Sequence, residues 1–288
     1  MKKKNLLISL LSSLFVLTSF SGCGGFMNTD KRLVYTLLED GTYSVSYNAD
    51  FYGIAFMEDY FRSTITNVTI PEEYNGKPVT AVGDRAFWRC GNLVSVEIPD
   101  TVTSIGESAF DRCMNLKELT LSNSLTSIGY GAFYYCEDLT KVIIPDSVVE
   151  IGASAFELCR GLTNLTIGNS VTTIGESAFS DCKKLTSLVI PDSVVEIGEK
   201  AFDLTLSLKK IVIGSGVTSL GYNAIARCER LEFVYYKGTF LDWLEVEGRE
   251  ENELLNEVQW YYYSEEKPSE GDSYKYWHYS VDGVPTPW

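Results

Sequence analysis

The chain has 288 residues, with 24 Lys and Arg against 39 Asp and Glu, for a net charge of −15. Its apolar fraction of 45% belongs to a globular protein, not a disordered one. The acidic balance argues against nucleic acid as a partner, since phosphate contacts need clustered Lys and Arg, and the single histidine, His278, excludes multi-histidine metal sites.

Met1-Lys2-Lys3-Lys4 is a positive n-region, and Leu6–Phe20 is an apolar run of 15 residues. That run is short for a membrane span; with the small residues after it, it reads as a signal peptide over residues 1–22. Phe20-Ser21-Gly22-Cys23 resembles the bacterial lipobox, with Phe where Leu is commonest. The resemblance implies that Cys23 receives a diacylglyceryl group and becomes the first residue of an exported lipoprotein. Removing residues 1–22 deletes three lysines and no acid, which takes the net charge to −18. Anionic lipid heads would repel such a body. Residues 23–32 read as a tether, so the membrane is met through the N-terminal lipid only.

Leu33–Leu37 and Thr42–Ser46 flank Glu39-Asp40-Gly41, which predicts a β-hairpin. With the residues up to 60 it is expected to cap the N-terminal end of the next region.

A 23-residue period runs through residues 61–236. Val82-Gly83, Ile105-Gly106, Ile128-Gly129, Ile151-Gly152, Ile174-Gly175, Ile197-Gly198 and Leu220-Gly221 keep that step. Ala-Phe follows in the same register, from Ala86-Phe87 to Ala201-Phe202, then Ala224-Ile225. A cysteine column runs through Cys90, Cys113, Cys136, Cys159 and Cys182, then Thr205, then Cys228. A finer alternation sets Pro99, Pro145 and Pro191 against Ser122, Gly168 and Gly214, and Ile-Pro-Asp-Ser-Val-Val-Glu-Ile-Gly occurs at both 144–152 and 190–198. The duplicated unit therefore spans two repeats.

Leu93, Val96 and Ile98 alternate with polar residues at strand spacing. Val102 and Ile105 predict a second short extended piece after the Pro99 turn. Gly106 suits a reversal where a side chain would clash or φ turns positive, and Ala109-Phe110 starts a short helical turn. The repeat resembles the BspA-type leucine-rich repeat of bacterial surface proteins. The fold expected is an α/β solenoid with 23-residue coils, a parallel β-sheet on one face, short helical turns on the other, and a cap at each end. Eight strands about 4.8 Å apart would span roughly 34 Å.

The cysteines lack Cys-x-x-Cys spacing, so zinc is not implied. Parallel side chains on neighbouring coils hold Cβ atoms near 4.8 Å apart, beyond usual disulfide geometry, so six thiols are expected. Nucleophile elbows, phosphate loops and dinucleotide glycine patterns are missing from the sequence. Glu250-Glu251 and Glu265-Glu266 read as solvated runs and His278 as one ring among aromatics, so no catalytic residue, cofactor or metal is assigned.

What remains is surface. Strand positions facing away from the core include Lys117, Glu118, Lys141, Asn164, Lys209, Lys210, Phe233 and Tyr235, a candidate ligand face. Residues 237–288 carry 12 acids against 4 bases and form an aromatic, acidic C-terminal segment. Phe240 to Val258 reads as an amphipathic helix with Gly248 as its weak point, and Val258–Tyr263 reads as a strand. The closing Tyr274–Trp288 reads as a hairpin around Asp282-Gly283. The segment either caps the last coil or presents Trp260, Tyr262, Trp277 and Tyr279 as an aromatic platform. The family resemblance implies adhesion to proteins of a host or neighbouring cell. A glycan-binding lipoprotein using the aromatic segment and a passive envelope component are the alternatives.

Overall fold

The computed structural model describes residues 33–47, 65–267, 274–280 and 282–288. The signal segment, Cys23, the tether and residues 48–64 lie outside those described residues.

The chain opens on a hairpin of β1 (Leu33–Leu37) and β2 (Tyr43–Tyr47), followed by β3 (Asn67–Thr69), β4 (Glu73–Tyr74) and β5 (Lys77–Val82). Coils then alternate longer and two-residue strands: β6 (Ser95–Glu97), β7 (Ser104–Ile105), β8 (Glu118–Thr120), β9 (Ser127–Ile128), β10 (Lys141–Ile143) and β11 (Glu150–Ile151). The alternation continues through β12 (Asn164–Thr166), β13 (Thr173–Ile174), β14 (Ser187–Ile190), β15 (Glu196–Ile197), β16 (Lys210–Ile213), β17 (Ser219–Leu220) and β18 (Phe233–Tyr236). After α1 (Phe240–Leu244) come β19 (Gln259–Tyr263), β20 (Tyr276–Tyr279) and β21 (Pro285–Pro287).

The solenoid thus has two parallel strand faces. The two-residue strands make one continuous sheet with β5, in which Ile105 faces Ile128 and Ile151 faces Ile174. The longer strands pair one coil apart, as Val142 with Leu165 and Leu188 with Ile211. The N-terminal hairpin joins the first sheet through β2 and β5, and Tyr47 stacks on Phe87. The Tyr74–Pro78 insertion is a second hairpin, turned by Asn75 at φ 52° and Gly76 at φ 73°.

Among the described residues the third side holds no helix. Its residues form turns in which every second amide donates to the next coil. Phe110 N–H bonds Ala132 C=O at 2.7 Å, flanked by Ser108 to Tyr130 and Arg112 to Tyr134, both at 2.8 Å. This direction repeats from coil to coil as far as Phe202 to Ala224. Amides committed to a neighbour are not available for i→i−4 bonds, so the return segment cannot wind into a helix. The geometry requires two left-handed residues per coil, such as Ser108 and Arg112, then Ser154 and Leu158. Gly131 is the one glycine in those two columns. A residue with a Cβ gives up about 1–2 kcal/mol in that conformation, which the cross-coil bonds and the buried row beneath must offset.

That row is Phe87, Phe110, Phe133, Phe156, Phe179 and Phe202, each with no solvent exposure. Successive rings are parallel within 7° at centroid separations of 5.0 to 5.4 Å. The glycines permit the same spacing. A Cβ on Gly152 would lie 2.6 Å from Ile128 O, and one on Gly168 would lie 2.3 Å from Pro145 O. The Ile-Gly column is thus set by coil approach and not by positive φ. The alternation of Pro with Gly has the same cause and adds a hydrogen bond. Asp146 and Asp192, after their prolines, accept the Asn169 and Ser215 amides of the next coil at 2.7 and 3.0 Å.

The C-terminal end is closed by residues 239–258. Thr239 and Asp242 form a capping box on α1, which ends at Leu244. The single helix expected over Phe240–Val258 is therefore replaced by α1 and two short 3₁₀ turns, because Gly248 sits at φ 73° and breaks the pattern. Asn252, fully buried, stands in for the missing next coil. Its Oδ1 accepts the Ile225 amide at 3.0 Å, while its Nδ2 donates to Gly221 O at 3.2 Å and Gly248 O at 3.0 Å.

Phe156→Ala is expected to cost about 3–5 kcal/mol in denaturant titration. Asn252→Ala, which leaves buried backbone groups unpaired, is expected to cost about 1–3 kcal/mol. A loss below about 0.5 kcal/mol for either would contradict its assigned role.

Candidate functional site

Strand alternation sends one set of side chains from the longer strands outward. Lys117, Glu118, Lys141, Asn164 and Lys209 are exposed there, Lys210 and Phe233 are half-buried, and Tyr235 is buried. Small polar groups interlock along the axis: Ser95 Oγ donates to Asn67 Oδ1 at 2.7 Å, and Thr69 Oγ1 to Glu97 Oε2 at 3.1 Å. Lys117 pairs with Asp138 at 3.7 Å. Lys141, Lys209 and Lys210 have no carboxylate within 4.0 Å among the described residues. The lysines form two groups: Lys141 and Lys210 occupy one register position three coils apart, or about 14 Å, with Asn164 and Ser187 between.

Toward the C-terminus the face turns aromatic. β18, β19 and β20 continue the sheet in parallel, with Tyr235 opposite Tyr261 and Tyr263 opposite Trp277. Val212, Tyr235 and Trp277 form a second apolar cluster on the outer surface, joined by half-buried Phe233, Tyr261 and Tyr263. Trp277 is fully buried, and its Nε1 donates to Tyr236 O at 3.0 Å.

The expected platform of Trp260, Tyr262, Trp277 and Tyr279 is split by the sheet. Trp260 and Tyr262 face the main core, because they occupy the other parity of β19. Trp260 packs 4.4 Å from Trp243 and donates to Leu255 O at 2.7 Å, and burial pushes the Tyr262 hydroxyl up to about 12. Trp277 and Tyr279 lie on the outer side, and only Tyr279 is exposed, with the Lys237 ammonium 5.8 Å from its ring centre. The sequence reading therefore missed Tyr261 and Tyr263. Their signal was the period-two alternation of Gln259–Tyr263, readable once the register with β18 is known.

The six repeat cysteines are buried thiols. They also hydrogen-bond: Cys113, Cys136, Cys159, Cys182 and Cys228 donate to the Phe carbonyl of the preceding coil at 3.2 to 3.5 Å. Thr205 instead turns back to Phe202 O at 2.8 Å, in its own coil. Burial pushes Cys159 up to about 12 and Cys228 to about 11, far from the range of a reactive thiol. His278 stacks on Trp288 at 3.9 Å and its Nδ1 lies 3.0 Å from Tyr279 O. Among the described residues no group of three His, Cys, Asp or Glu side chains is placed to hold a metal ion.

Stacked 23-residue coils with one polar, extended strand face define a leucine-rich solenoid. The chain belongs to the family described as BspA type leucine rich repeat region, whose model matches residues 55–163 and 126–242 in six copies. Among solved structures it is similar to a Treponema pallidum leucine rich repeat protein, with 28% identity and a TM-score of 0.60, covering 70% of this chain and 88% of that one. A leucine-rich repeat protein from Bacteroides ovatus aligns with 20% identity and a TM-score of 0.49, covering 74% and 71% of the two chains. A leucine rich cell surface protein from Faecalibacterium prausnitzii aligns with 20% identity and a TM-score of 0.40, covering 78% and 98%. No curated protein sequence matches the chain.

A thiol whose folded pKa is raised holds its proton in the native state after the unfolded chain has lost it at about 8.5. The stability from this source is complete below about pH 8.5 and falls as pH rises toward 12. Native protein at pH 8 is expected to leave Cys136, Cys159 and Cys182 unalkylated by iodoacetamide, whereas unfolding in urea without reductant labels all six repeat cysteines. Mass spectrometry of the two samples checks this, and native labelling of those three would contradict the packing.

Proposed function

We propose that the chain is an exported surface lipoprotein, anchored through Cys23, whose outer strand face binds a protein of a host or neighbouring cell without catalysis. The observation that carries this reading is the face itself: a long, repeated, largely polar surface on which Lys141, Lys209 and Lys210 have no carboxylate within 4.0 Å among the described residues, on a protein of net charge −15. An acidic body that leaves cations exposed in one place favours an oppositely charged partner there. Membership of a family of bacterial surface-type scaffolds supports an interaction role. The signal pattern Met1–Phe20 and the lipobox-like Phe20–Cys23 support export and lipidation. With affinity spread over several coils, single contacts contribute modestly and area alone does not set its strength.

Two experiments test the reading. Cys23→Ala is expected to abolish incorporation of labelled palmitate and release the chain from the membrane fraction; unchanged labelling would remove the anchor. Lys117→Glu combined with Lys141→Glu is expected to weaken binding to an array of surface proteins about tenfold with the circular dichroism spectrum unchanged. Unaltered binding would remove this part of the face from the interface, and binding confined to a glycan array would favour the sugar-binding alternative.

A further inference from the structure

Building on the strand-face reading, we propose that the outward surface of β16, β18, β19 and β20 docks an acidic, extended polypeptide segment of a partner protein. The apolar part of the site is the second cluster. Val212, Tyr235 and Trp277 are buried on the side of the sheet opposite the main core, and the half-buried Phe233, Tyr261 and Tyr263 packed against them are the apolar groups that reach the surface. The aromatic content is that of binding hot spots, set at one end of a face whose other outward residues are Thr, Ser, Asn, Lys and Glu with single aliphatics such as Ile143 and Val189.

The charges around the cluster fix the sign of the partner. Lys209 and Lys210 border it at the β16 side, and the Lys275 ammonium stands 5.9 Å from the centre of the Tyr261 ring. None of the three has a carboxylate within 4.0 Å among the described residues, whereas Lys117, Lys183, Lys200 and Lys237 each pair with one. Against them stands exposed Glu232, one coil on from Lys209; the three lysines exceed it and form a local field that attracts carboxylates.

Ring orientation favours a polypeptide over a sugar. Tyr235 and Tyr261 stack on each other at 5.2 Å and 14°, so each covers a face of the other. Trp277 is packed edgewise by Tyr235, Tyr263 and Tyr279. These packings occupy ring faces of Tyr235, Tyr261 and Trp277, which leaves less open ring face for a sugar, while electropositive ring edges suit carboxylate and carbonyl oxygens. Strand addition is not the mode, because the outermost strand β21 contains Pro285 and Pro287, which have no N–H to donate. Contact is therefore made by side chains across the face.

The test uses the full chain immobilised and a random Glu–Tyr copolymer as probe, with a Lys–Tyr copolymer and heparin alongside. The Glu–Tyr copolymer is expected to bind, to weaken with added salt, and to bind at least tenfold less to Lys209→Met/Lys210→Met/Lys275→Met, which keeps the apolar stems and the fold. Equal binding by that variant, or preference for the Lys–Tyr copolymer, overturns the proposal. Binding of heparin alone also overturns it and makes the surface one for acidic glycans. Loss of copolymer binding in Lys117→Glu/Lys141→Glu but not in the methionine variant keeps the strand-face reading and overturns this placement. If the copolymer binds neither wild type nor variant, this proposal falls, and the surface-protein array judges the strand-face reading separately.

Discussion

The structure depends on one constraint: successive coils lie 5.0 to 5.4 Å apart, measured at the phenylalanine row, so each side chain meets its own equivalent. A column must therefore tolerate itself. Phe does so by stacking, and Cys by donating to the carbonyl of the coil before. Charged columns do so poorly. The inward positions are accordingly apolar or small, and lysine and glutamate stay on the faces. Where a column cannot tolerate itself it alternates, as Pro145 and Pro191 do with Gly168 and Gly214, and the duplicated unit becomes two coils.

The same stacking gives the turn side a polarity that the strand sides lack. In the parallel strands N–H and C=O alternate in direction and their dipoles largely cancel. On the turn side the amides of the Ser108, Phe110 and Arg112 columns point toward the C-terminal end, and the carbonyls that accept them point toward the N-terminal end. The two ends need opposite partners. At the carbonyl end the Tyr47 amide takes Ala86 O at 2.8 Å, and Arg85 and Arg89 lie in that coil. At the amide end Glu251 O and Asn252 Oδ1 receive Asn223 and Ile225, within an acidic run from Glu245 to Glu257. Cations at the carbonyl end and acids at the amide end are the arrangement that also steadies a helix.

Much of this was legible in the sequence, because a strict period exposes every column. The coil length, the inward Leu, Val, Ile and Phe, and the second short strand follow from that period. The turn side was not legible as a non-helical ladder: its left-handed residues are Arg, Ser, Tyr, Leu, Asp, Lys and Asn, and only Gly131 carries the usual signature. Asn252 was hidden because its role comes from replacing a coil that is not there. The outward aromatics were half legible. Phe233 and Tyr235 sit in the repeat register, but the parity of β19, which separates Tyr261 from Trp260, is fixed only by pairing with β18.

The binding face inherits its geometry from the stack. Each coil adds one short row of outward side chains, so the polar strip and the aromatic end are continuous with the core that holds them in place. The most direct measurement of that dependence is native-state amide hydrogen exchange by NMR. The amides of Phe110, Phe133, Phe156 and Phe179, which donate between coils, are expected to exchange only through cooperative opening and with closely similar protection. Exchange of these amides as fast as that of the exposed Glu265 and Glu266 would show that the coils are not held against one another, and would contradict the account.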